Sequence, residues 1–70
     1  MMRFEIGKVY RHTTGHIIKI IGAVQTTMYG GLVLVAEQSN SSDFLPVGSG
    51  EDATANYELV GDDVWESLFS

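Results

Sequence analysis

Two histidines, His12 and His16, stand on either side of Thr13-Thr14-Gly15, and a three-residue turn between strands would set their imidazoles opposite each other. Imidazole is both a common metal ligand and a common general base, so this pair is the first place to look for chemistry. Two ring nitrogens do not close a coordination sphere, and no third ligand stands at a diagnostic spacing, so no metal and no cofactor is expected. Serines and threonines are plentiful, yet none sits in a strained nucleophile turn with a recognisable His or Lys partner. Gly48-Ser49-Gly50 has the composition of a phosphate-binding loop but lacks the lysine and the long helix such a loop needs. The acid pairs Glu51-Asp52 and Asp62-Asp63 lie beside turns, where carboxylates are ordinarily solvated. The chain reads as a non-enzyme.

Recognition is better served than catalysis. Tyr10, Tyr29, Tyr57 and Trp65 fall at strand ends, in a loop or in the terminal segment, and such side chains bring area, a polar tip and few rotors to freeze. Core packing competes for them, above all for Tyr57 and Trp65. The cations Arg3, Lys8, Arg11 and Lys19 all precede Ile20, whereas every acidic residue except Glu5 lies from Glu37 onward. A net charge of -5 disfavours direct nucleic-acid binding, which needs phosphates neutralised. The same charge suits a host protein with a basic surface, met through Glu51, Asp52, Asp62 and Asp63. A small nucleotide would instead need Arg11 for phosphate and Tyr29 for stacking.

The elements that would position these residues are mostly strands. Gly15 to Glu37 holds two apolar β-branched runs, Ile17 to Val24 and Leu32 to Ala36, joined by the polar loop Gln25 to Gly31, and predicts a β-hairpin. Both faces of the first run are mostly apolar, with Lys19 on one of them, which calls for a closed barrel with a covering terminal segment or a second subunit; a homodimer or higher homo-oligomer is expected. Phe4 and Ile6 alternate with charged residues and read as a short strand, a bend at Gly7-Lys8 follows, and Val9 to His12 resume. Gln38 to Asp43 reads as a polar connecting loop, and Phe44 to Val47 as a short strand whose Pro46 belongs at an edge or strand end. Ala53 to Ala55 suits one helical turn, Asn56 to Val60 an edge strand, and Val64, Trp65, Leu68 and Phe69 form one stripe of a short helix capped by an acidic residue.

Seventy residues make one domain, small enough that oligomerisation is an available reinforcement. The lack of cysteine removes disulfides and fits a reducing cytoplasm, and no apolar run reaches the roughly 18 residues of a membrane span. The expectation is a cytoplasmic, soluble, mainly β domain: a small antiparallel twisted sheet or partly open SH3-like barrel with a short C-terminal helix.

The opening Gly7, Tyr10-Arg11-His12 and Gly15, followed by Ile20-Ile21-Gly22, resembles small bacterial and phage domains of uncharacterised function, over about a fifth of the chain. That resemblance implies a compact, partly open β-barrel. A second likeness, in the order of Pro46, Asp52, Ala55, Tyr57 and Val60, is to the C-terminal half of the Thoeris anti-defence sponge proteins, which implies an oligomer that binds a signalling nucleotide. Together they imply a phage or prophage origin, and the expected function is that of a non-enzymatic phage-type accessory protein that binds and blocks a host protein, such as a host-defence component, with a nucleotide sponge and a structural subunit as the alternatives.

Overall fold

A computed structural model describes residues 2–27 and 31–69. It is one open antiparallel sheet of five strands in the order β4-β3-β2-β1-β5, with a short C-terminal helix. The strands are β1 Val9–His12, β2 Ile17–Thr26, β3 Gly31–Gln38, β4 Ser41–Gly48 and β5 Tyr57–Val60; a 3₁₀ turn spans Glu51–Thr54 and the helix α1 spans Asp62–Ser67. The sheet does not close: β4 and β5 are its two edges.

The turn at Thr13-Thr14-Gly15 forms as its spacing predicts. Gly15 takes φ +94°, a left-handed conformation that side chains disfavour, and the His12 N–H donates to the His16 carbonyl at 2.7 Å. Residues of β2 then alternate between two faces until Ile21, where the register against β3 shifts between Ile20 and Gly22. A bulge of this kind re-aims the side chains beyond it and bends the strand.

One face carries the main core: Phe4, Tyr10, Ile18, Ile20, Leu34 and Ala36 are buried together, with Met2, Leu45, Val47, Ala53 and Tyr57 packed around them. The opposite face carries Val9 and Ile17, buried beneath Trp65 of α1 with Val60 and Val64 alongside. The chain itself therefore supplies cover for the second apolar face near Ile17. Trp65 is 8% exposed, and burial of a ring this size stabilises the docked helix by roughly 3 kcal/mol.

Several local expectations change. The N-terminal segment around Phe4 is not a strand; Phe4 is buried and packs edge-on against Tyr10 with ring centroids 4.8 Å apart, while the Tyr10 hydroxyl accepts from the Glu5 N–H at 2.8 Å and donates to the Arg3 carbonyl at 3.2 Å. A tyrosine phenol thus replaces the strand ladder there. Residues 38–43 are not a loop: β3 runs to Gln38, Ser39 and Asn40 turn the chain, and β4 starts at Ser41. Serine and asparagine satisfy turn geometry in two residues, which periodicity alone does not reveal. Helix α1 has Gly61 rather than an acid at its N-cap, and Asp62 and Asp63 occupy its first turn, favourably placed for its dipole. Gly48 admits the 3₁₀ turn close to β4, since a Cβ there would meet that of Ala53 at 3.2 Å.

Candidate functional site

The sheet register sorts the sequence's candidate residues onto separate surfaces. Because Tyr10 and Ile18 point to the main core while Val9 and Ile17 point to α1, the 3₁₀ turn and α1 lie on opposite faces. Glu51 and Asp52 belong to the 3₁₀ turn, Asp62 and Asp63 to the helix, so the four carboxylates do not form one patch. Glu51 pairs with Arg3 at 3.8 Å, both well exposed, a contact worth little in water.

Arg11 projects from β1 on the helix-bearing face, where it is paired with Glu58 of β5; its Nε donates to Oε1 at 2.7 Å and its Nη2 reaches the same oxygen. The strand register that sets Arg11 opposite Glu58 makes this pair, and it neutralises the cation proposed for phosphate. Tyr29, its expected companion, lies outside the described residues.

A concavity of about 590 Å³ opens where the His12–His16 turn meets the β3–β4 turn, and includes Gln38, Ser39, Asn40, Leu45 and Tyr57 in its lining. His12 and His16 do stand opposite each other across the turn. The His12 ring packs edge-on to Tyr57 at 4.9 Å, and its Nδ1 accepts from the Thr14 N–H at 3.2 Å, with the Thr14 hydroxyl at 2.9 Å. An accepting Nδ1 puts the proton of the neutral ring on Nε2. Burial raises the Tyr57 phenol above its ordinary pKa, so it is a neutral hydrogen-bonding group. Among the described residues no Arg or Lys lines this cleft, so they offer a phosphate hydrogen bonds but no fixed cation. Among the described residues no three His, Cys, Asp or Glu side chains come together as a metal set.

On the helix-bearing face the register places Phe44 of β4 beside Glu37 of β3, and the chain following α1 brings Phe69 to them. These residues, with Gln38, Ser41, Ser42 and Asp43, line a notch of about 240 Å³. Sequence reasoning did not reach it, because Glu37, Phe44 and Phe69 are distant in the chain and share a surface only through register and helix docking. The one legible signal was Phe69 in the helical stripe; it is 65% exposed rather than buried.

Two of the chain's four cations are thus held by glutamates, while among the described residues Glu37, Asp43, Asp62, Asp63 and Glu66 make no ion pair. No helix among the described residues is long and apolar enough to cross a membrane. Comparison with protein-family models, with curated proteins and with solved structures finds no match.

Proposed function

We propose that the protein is a non-enzymatic accessory protein, of the phage type its opening resembles, that binds and blocks a host protein presenting a basic surface. The observation that carries this reading is the composition of the helix-bearing face: Asp62, Asp63 and Glu66 on α1 and Glu37 on β3 make no ion pair among the described residues, although Lys19 stands opposite Glu37 in register, and the same face carries exposed Phe44, Leu68 and Phe69. Unpaired charge speeds encounter with an oppositely charged partner, and exposed aromatic area supplies the affinity that surface charge alone does not. The nucleotide alternative draws less support, since Arg11 is engaged by Glu58 and the cleft at the His12–His16 turn has no cation among the described residues of its lining.

The test follows from the two-faced placement of the acids. Proteins captured from the host on the immobilised chain are identified by mass spectrometry, and association with each basic one is measured against salt. Asp62→Lys with Asp63→Lys is expected to slow association and flatten its salt dependence, whereas Glu51→Lys with Asp52→Lys on the other face has little effect. Loss of function confined to Arg11→Ala, with the acid reversals neutral or helpful, would turn the assignment to the nucleotide.

A further inference from the structure

We propose that the notch formed by Phe44, Phe69, Glu37 and Asp43 seats an arginine side chain of the partner. The inference rests on the reading of a basic partner and names the contact by which that partner is held. Phe44 is 61% exposed and Phe69 65% exposed, so two aromatic rings present themselves to solvent at one concavity instead of packing into a core. The face of a phenyl ring attracts a cation, and a planar guanidinium also stacks on it, which an ammonium does not. Glu37 and Asp43 belong to the same lining and make no ion pair among the described residues, although Lys19 stands opposite Glu37 in register, so a fork of N–H donors seated at the notch has carboxylate acceptors beside it.

The site is also built rather than incidental. Phe69 is held by Trp65, its ring centroid 5.1 Å away and edge-on, and Trp65 is itself buried against Val9 and Ile17. On the other side the strand end is fixed by the Gln38 amide, which donates to the Asp43 carbonyl at 3.0 Å, and by the Asp43 N–H, which donates to the Ser41 hydroxyl at 3.1 Å. Both walls are therefore anchored before a ligand arrives, which lowers the ordering cost of binding.

The experiment uses the full chain, isotopically labelled, and follows its NMR spectrum during titration with acetyl-arginine methylamide, with the citrulline analogue as an uncharged match and the lysine analogue as a cation without the plane. The expected result is millimolar binding of the arginine probe, weaker for lysine and absent for citrulline, with shifts confined to residues around Phe44, Phe69, Glu37 and Asp43. Phe44→Ala and Glu37→Gln should each weaken it by roughly three- to tenfold, the size of one cation–π or exposed charge contact, without altering the melting temperature by much. Equal shifts with citrulline, shifts spread over the other carboxylates, or no shifts would each overturn the notch. A hexa-arginine peptide separates this from the broader reading: if it binds in a salt-dependent way that Asp62→Lys with Asp63→Lys abolishes and Phe44→Ala does not, the basic-partner reading stands while the notch falls. Self-association that Phe44→Ala disrupts, with the notch closed to the arginine probe, would make this face a contact between copies and also overturn the proposal.

Discussion

Tyr10 illustrates how much one side chain can hold. Its ring is 1% exposed within the main core, and its hydroxyl both accepts from Glu5 and donates to Arg3, so it fastens the irregular N-terminal segment to the sheet. Tyr10→Phe keeps the ring and removes both hydrogen bonds, with an expected loss of about 1–2 kcal/mol in urea unfolding. The phenol also sets an alkaline limit. Burial raises the Tyr10 pKa above 10.0, opposed in part by the hydrogen bond from the Glu5 backbone and reinforced by the Glu5 charge; burial raises Tyr57 as well. As pH climbs, the unfolded chain gives up its phenolic protons first, so stability is intact below about pH 10 and is lost as the pH rises towards the native values. Melting temperatures recorded from pH 8 to 11 should be flat and then fall, and Tyr57→Phe should make the fall shallower; an unchanged slope in that variant would remove Tyr57 from the linkage. Thr54, buried at the end of the 3₁₀ turn, has its hydroxyl 2.9 Å from the Met2 carbonyl and 2.8 Å from that of Glu51, which ties the turn to the N-terminus by the same kind of contact.

At the scale of elements, α1 is what closes the second face. Its six residues are too few to be stable alone, so its existence depends on the burial of Trp65 over Val9 and Ile17. Trp65→Ala should cost about 3–5 kcal/mol and release the helix, seen as a lowered denaturation midpoint and increased binding of a hydrophobic dye to the uncovered face. A variant that melts like the parent would show that the helix contributes nothing to the core. The turn before β2 makes a smaller demand: Gly15→Ala forces a side chain into the left-handed region and should cost about 1 kcal/mol, although nothing lies within 4 Å of the added methyl.

Across the whole molecule, the helix covers only part of its face. Beyond the bulge, Val24 is 54% exposed, Val33 and Val35 are half-buried, and Pro46 is exposed beside them in register. We expect this strip to pair copies of the chain into a dimer, and Val24→Lys to return it to a monomer without unfolding it. Light scattering at roughly tens of micromolar, where modest interfaces already associate, checks both statements; a monomeric parent protein would sink the expectation.

The sequence alone determined the class of fold, because hydrophobic runs of β-branched residues, the Thr13-Thr14-Gly15 turn and the terminal stripe around Trp65 are local signals whose physics needs no partner. It also pointed correctly to His12 facing His16, since a short turn dictates what stands across it. Tertiary structure alone decided the rest. That the sheet stays open, that the helix rather than a second subunit covers Ile17, and that Arg11 is spent on Glu58 all follow from which strands lie side by side. The separation of Glu51 and Asp52 from Asp62 and Asp63 has the same origin: charge pattern is counted along the chain, whereas a surface is made by the face on which each element docks, and alternation on β1 and β2 sends neighbouring residues to opposite sides. The meeting of Glu37, Phe44 and Phe69 needed both the β3–β4 register and the packing of Trp65, and long-range contacts of that kind leave no periodic trace in a single sequence.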